Sequence, residues 1–218
     1  MTVLTVSREY GSEGRRIAEV VAHTLGYHFV NKRTIEQILI QYGFADFYRD
    51  YEAAASFWDR FDPRKTEMIG MLNQVMRGLA RHGNTVILGR GSFAVLHNLA
   101  DVLNIRIKAP LLLRVRRVMQ QQGIFNPDQA QAMISENDRV RAAFIETFYG
   151  VRWDSSEAFD LVIDTGKVPP DLASTWLIDA LKALPETLDR SAQTTRQLEI
   201  DSVLKVAIAS TLKCEVEH

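Results

Sequence analysis

Two glycines three residues apart, Gly11 and Gly14, follow the β-branched run Thr2-Val3-Leu4-Thr5-Val6-Ser7 and precede a helical pattern that begins with Arg15 and Arg16. A strand that ends in a glycine turn at a helix start offers bare N–H groups and the positive end of a helix dipole to an anion. The chemistry this suits is the holding of phosphate. The standard phosphate-binding loop, G-x-x-x-x-G-K-[ST], adds a lysine and a magnesium-binding hydroxyl. Neither stands here, and arginines take up the neighbourhood instead.

Two further clusters sit at the ends of predicted strands: Gly89-Arg90-Gly91 after Thr85-Val86-Ile87-Leu88, and Asp164-Thr165-Gly166 after Leu161-Val162-Ile163. Ligands of open α/β sheets bind beyond the carboxyl ends of the strands, so all three clusters should face one crevice. More arginines follow on predicted helices: Arg114, Arg116 and Arg117 after Pro110, and Arg139 and Arg141 in the helix opened by Pro127. Phosphoryl transfer is mostly positioning and charge neutralisation, which backbone amides and bidentate guanidinium groups can supply. None of the five histidines has a metal-ligand companion at helical spacing, so no structural metal site is expected.

The elements that must position these groups alternate between short β-branched runs and longer stretches of helical period, the pattern of a parallel sheet with crossover helices. Ile17, Val20, Val21 and Leu25 share a helix face that Gly26 ends, and Tyr27 to Val30 reads as the second strand. Thr34 to Tyr42 reads as a helix, and Met68, Met71, Leu72, Val75, Met76 and Leu79 form a core stripe on the helix begun by Pro63. A fourth strand runs from about Leu103 to Ile107, a fifth from Asp160 to Asp164, and a helix follows Pro169 and Pro170 as far as Leu184. The fold class is therefore α/β, a doubly wound, five-stranded parallel sheet with helices on both faces. Residues 1–184 make one domain, and residues 185–218 a polar linker and an amphipathic C-terminal helix. In that helix Ile200, Leu204, Ile208 and Leu212 recur at spacing four, a face that must dock on the domain, on a second copy or on another partner. A homodimer through this helix is one expectation.

The chain has 218 residues, 46% of them hydrophobic, and a net charge of −1, enough for a substantial core and too balanced for whole-surface attraction to nucleic acid or an anionic membrane. No nucleic-acid or membrane partner is expected. One cysteine, Cys214, precludes an internal disulfide. With no signal-peptide pattern and no run of transmembrane length, the expected location is cytoplasmic.

The run Thr5-Val6-Ser7-Arg8-Glu9-Tyr10-Gly11-Ser12, with Gly14 and Arg15, the strand end Val86 to Arg90, Ile107-Lys108-Ala109-Pro110 leading to Arg114 and Arg117, and Asp138-Arg139 together resemble the cytidylate kinase-like family of P-loop kinases. The resemblance spans about Thr2 to Leu184. It implies a nucleotide kinase that moves the γ-phosphoryl of ATP, with Mg2+, to a nucleoside monophosphate, CMP or dCMP as first guess. It places Gly11, Ser12, Glu13, Gly14, Arg15 and Arg16 on the donor phosphates, Arg90 on the acceptor, and Arg139 and Arg141 on a lid over the transferring group. Arg114, Arg117, Asp164 and Thr165 would flank the donor nucleotide, with residues 31–62 as an acceptor-binding insert and 126–150 as the lid; whether the aromatic segment 44–61 forms a substrate-binding flap stays open. The metal ligands stay unassigned. Laid against a standard nucleotide kinase, Gly14 falls at the loop lysine, a departure that much of the family shares; the chain departs from its relatives at Glu13, where the family commonly has glycine, at Gly91, where cytidylate kinases have aspartate, and at Asn31, where relatives often carry aspartate. A second reading therefore stands beside the enzyme: a pseudo-kinase that keeps fold and anion pocket as a nucleotide-sensing or interaction module.

Overall fold

The computed structural model describes residues 1–44, 63–189 and 191–214. Most of the aromatic segment 44–61, from residue 45 on, lies outside them.

Five described strands, β1 (Val3–Arg8), β2 (His28–Val30), β3 (Thr85–Leu88), β4 (Val102–Lys108) and β5 (Leu161–Asp164), form one sheet in the order β2-β3-β1-β4-β5. All neighbours are parallel; Val3 pairs with Thr85 on one side and with Val102 on the other. β1 holds the centre because Val3, Leu4, Thr5 and Val6 are all fully buried, as a strand covered on both faces requires. Its side chains alternate: Val3 joins the core on one face, while Leu4 and Val6 join the core on the other.

The second of those cores is closed by α1 (Gly14–Leu25) and α7 (Pro170–Thr187) through Ile17, Val21, Leu177 and Leu181. The first is closed by α2 (Lys32–Gln41), α3 (Pro63–His82), α4 (Ser92–Leu96), α6 (Pro127–Tyr149) and α8 (Ser202–Cys214). A third, smaller cluster joins α5 (Leu111–Gln122) to α6 through Val115, Val118, Ala130 and Ile134. α2 begins two residues earlier than its apolar pattern. Asn31 caps it, its Oδ1 accepting from the N–H groups of Arg33 at 2.8 Å and Thr34 at 3.3 Å. α7 runs through Pro185 to Thr187 rather than stopping at Leu184, since a proline so near the C-terminus costs the helix little beyond one bond.

α8 docks on its own chain. Leu204, Ala207, Ile208 and Leu212 are buried among residues of α2 and α3, and a Cβ on Gly78 of α3 would lie 2.5 Å from Ile208 Cδ1. The polar stretch before it is latched by Asp101, whose carboxylate accepts from Thr195 N at 2.8 Å and Thr195 Oγ1 at 2.6 Å. The face expected to carry a homodimer is thus already covered, and dimerising through it would require undocking the helix.

Candidate active site

At the carboxyl edge of β1 the chain turns through Gly11, at φ 80°, and Glu13, at φ 66°, before α1 starts at Gly14. The left-handed conformation at Glu13 is one a glycine takes without strain, so this loop carries a local cost. No side chain caps α1, which leaves its N-terminal amides turned to the loop mouth. The Glu13 carboxylate leans away from that mouth. It accepts from Gln121 Nε2 at 2.6 Å and lies 4.0 Å from Arg16.

The loop is braced from behind by groups expected to touch nucleotide. Arg117 Nη1 donates to Thr165 Oγ1 at 2.9 Å, and Thr165 Oγ1 donates to the Ser12 carbonyl at 2.9 Å. Arg114 pairs with Asp138 at 2.6 Å and Glu9 at 3.4 Å and donates to the carbonyls of Ala109 and Tyr10. Asp138 also accepts from Tyr10 N at 2.9 Å. Arg114, Arg117 and the buried Thr165 are therefore spent on the loop itself, and Asp164 accepts from Gly166 N to shape its own turn. These bonds set all three against the back of the loop. The cause lies in helical geometry: positions 114 and 117 share the α5 face that packs on the loop, where a Cβ on Gly11 would meet Val118 and Arg114 at 3.0–3.2 Å.

A cavity of about 760 Å³ opens over the carboxyl ends of β1 and β3, and Arg8, Arg15, Arg90 and Arg141 all line it. Arg90 stands at φ 62° between Gly89 at 77° and Gly91 at 75°, a strained turn that aims it into the cavity. A Cβ on Gly91 would lie 2.3 Å from the Tyr149 ring, so the aspartate of cytidylate kinases has no room at this position. Arg141 reaches in from α6, held by Asp138 at 3.2 Å, and its guanidinium lies over the Tyr10 ring. Arg15 is mostly exposed and pairs with Glu19 at 2.8 Å. Arg139 points the other way, 67% exposed and paired with Glu136, and Arg16 turns to Asp171 on α7 at 2.6 Å. Neither lines the cavity.

Arg8 had no assigned role in the sequence, and it is the most perturbed cation here. Burial first, then the charges of Arg141, Arg90 and Arg15, push its pKa down to about 9, against a small pull from Asp138. Arg90 is lowered to about 10 by burial, with Glu36 opposing and Arg141 adding to the shift. Both stay cationic at neutral pH, so the cavity confines like charges that repel one another and that a bound polyanion would relieve. The signal in the sequence was a displacement: arginine at the position of the loop's first glycine, glycine at the position of its lysine. Beneath the cavity Trp153 donates to Ser7 Oγ at 3.2 Å and stacks under Arg106, which donates to the Trp153 carbonyl.

Among the described residues no group of three His, Cys, Asp or Glu side chains could hold an ion. The Ser12 hydroxyl donates to the Glu9 carbonyl at 2.8 Å. No described helix is long and apolar enough to cross a membrane.

A central β1, the strand order β2-β3-β1-β4-β5 and a glycine turn feeding an uncapped helix define a P-loop kinase fold. A solved protein from Eubacterium ventriosum has this fold, with a TM-score of 0.66 at 19% identity over 84% of this chain and 99% of that one. So does the shikimate kinase of Bacteroides thetaiotaomicron, at 0.50 and 12% identity over 83% and 98%. The model of the cytidylate kinase-like family matches residues 3–167, and the chain belongs to that family. It is similar to the cytidylate kinases of Pyrobaculum calidifontis, 27% identical over 76% of this chain and 84% of that protein, and Ignicoccus hospitalis, 28% over 78% and 94%.

Proposed function

We propose that the protein is a nucleotide kinase of the cytoplasm that transfers the γ-phosphoryl of ATP to a nucleoside monophosphate, with CMP and dCMP the first acceptors to try. The observation that carries this is the convergence of Arg8, Arg15, Arg90 and Arg141 on one cavity beside the uncapped start of α1. Donor phosphates would lie on the α1 amides. The acceptor phosphate would lie against Arg90, and Arg141 would neutralise the group in flight from the side of α6. As the bond from γ-phosphorus to the β,γ-bridging oxygen breaks, an acceptor phosphate oxygen forms the new bond. ADP leaves with the electron pair, and no proton need move. Magnesium would arrive on the nucleotide phosphates and supply charge neutralisation there.

The test is ADP release from ATP and Mg2+ in the presence of each nucleoside monophosphate in turn. Turnover with at least one acceptor is expected; ATP binding without transfer to any would overturn the kinase and favour the sensing module, which the Gly14 substitution and the structural use of Arg114 and Arg117 motivate. Thermal shift separates the two independently, because an enzyme is stabilised by donor analogue and acceptor together beyond either alone.

A further inference from the structure

The kinase reading leaves one position without an account, the cation that the loop lysine would provide between donor and acceptor. We propose that the Arg8 guanidinium, entering from the start of the loop, takes that place, that Gly14 is glycine because the stem of Arg8 runs over it, and that the Arg8 head group lies over Gly89. This rests on the reading above and extends it to a residue outside the phosphate loop's usual pattern.

Steric exclusion traces the path. A Cβ on Gly14 would lie 2.6 Å from Arg8 Cβ and 3.1 Å from Arg8 Cγ, so the stem of Arg8 occupies the space where a side chain at the lysine position would begin. Farther out, a Cβ on Gly89 would lie 2.2 Å from Arg8 Nη1, so the guanidinium passes over the end of β3 beside Arg90. The two glycines mark the near and far ends of one half-buried side chain that crosses from the α1 terminus to the acceptor side of the cavity. Electrostatics agrees with the path. Among the described residues no carboxylate lies within ion-pair distance of Arg8, whereas Arg114, Arg106 and Arg16 each have one. Burial and the charges of Arg141, Arg90 and Arg15 all disfavour the cation, against a smaller opposing pull from Asp138. A structural arginine would be placed beside a counter-charge; this one is placed where an anion must come to it.

The experiment compares the wild type with Arg8→Gln and Arg8→Lys in the full chain, reading turnover, stabilisation by inorganic tripolyphosphate and melting temperature without ligand. Arg8→Gln should lower kcat about 100-fold with a much smaller change in KM for ATP, as expected for a charge used chiefly in the transition state. Arg8→Lys should recover part of the loss. Without ligand Arg8→Gln should melt no lower than the wild type, because it removes a repelled charge; a clear drop would mean a structural role and overturn the assignment. So would a kcat for Arg8→Gln within about threefold of an active wild type. If the wild type transfers phosphate to no acceptor, the kinase reading fails on its own. Tripolyphosphate then decides: stabilisation lost in Arg8→Gln supports the anion role, and equal stabilisation of both proteins sinks it. A steric cycle adds a readout free of activity. Gly14→Lys should lower the melting temperature by roughly 5 °C, and adding Arg8→Gly should restore much of it. Equal losses with and without Arg8 would contradict the shared path.

Discussion

Asp138 shows how much of a site can depend on one side chain that touches no phosphate. Its carboxylate accepts from Tyr10 N, pairs with Arg114 at 2.6 Å and holds Arg141 at 3.2 Å, joining the loop, α5 and α6. Removing one partner from such a mostly buried network leaves the others uncompensated. Asp138→Ala should cost about 3 kcal/mol of stability in denaturant unfolding, and should lower kcat as Arg141 loses its seat. The two arginines of α6, Arg139 and Arg141, sharpen this. Residues two apart on a helix cannot face the same way, so Arg139 and Arg141 could never both enter the cavity. That restriction was legible in the spacing; which one enters was not, because it depends on how α6 is rolled, and Asp138 and the Tyr10 ring set the roll. Arg141→Ala should reduce turnover about 100-fold, whereas Arg139→Ala, exposed and paired with Glu136 on the outer side of α6, should leave kcat unchanged and stability within about 0.5 kcal/mol. Comparable loss in both variants would contradict the orientation.

Elements were easier to read than contacts between them. Strand β1, the Gly26 cap of α1 and the proline-started helices α5, α6 and α7 follow from local pattern, since period and capping are written within a few residues. The roles of Arg114, Arg117 and Thr165 were not legible, because whether an arginine faces a ligand or the back of a loop is decided by packing between elements remote in sequence. The turn Gly89-Arg90-Gly91 shows both sides. Its glycines announce a strained strand end, but only the structure puts the Tyr149 ring against Gly91 and donates the Tyr149 hydroxyl to Asn73 at 2.9 Å. Burial raises the Tyr149 phenol further above its ordinary range, so it remains a neutral donor. Gly91→Asp, which would restore the residue of cytidylate kinases, should therefore destabilise by about 2 kcal/mol or more through overpacking and the positive φ. Thermal unfolding checks it. A Gly91→Asp protein as stable as the wild type would mean that the ring yields readily and that an aspartate could serve base recognition after all.

At the scale of the whole molecule, α8 decides whether the chain closes on itself or on a copy. Its amphipathic period was plain in the sequence, but a periodic face does not say what covers it. The close approach is set from the other side, by Gly78 on α3, whose missing side chain admits Ile208. Leu204 and Ile208 are each only 1% exposed, while Val203 and Val206 on the opposite face are 58% and 69% exposed. Truncating a buried leucine or isoleucine loses its transfer energy and leaves a cavity, so Leu204→Ala and Ile208→Ala should each cost about 3 kcal/mol in denaturant unfolding. Val206→Ala should cost almost nothing. None of the three substitutions should change the mass seen by light scattering, and the melting temperature should not depend on protein concentration, as it would if a second copy were bound across this face. A concentration-dependent melting temperature that disappears with Leu204→Ala would reverse the conclusion, making α8 a contact between copies. The same data bear on the site through α2: its residues Ile35, Ile38 and Leu39 lie in the core that α8 closes, and its Glu36 and its cap Asn31 line the cavity. Loosening α8 should therefore raise KM for the acceptor more than KM for ATP, because the donor-side loop is braced instead by α5, α6 and Thr165.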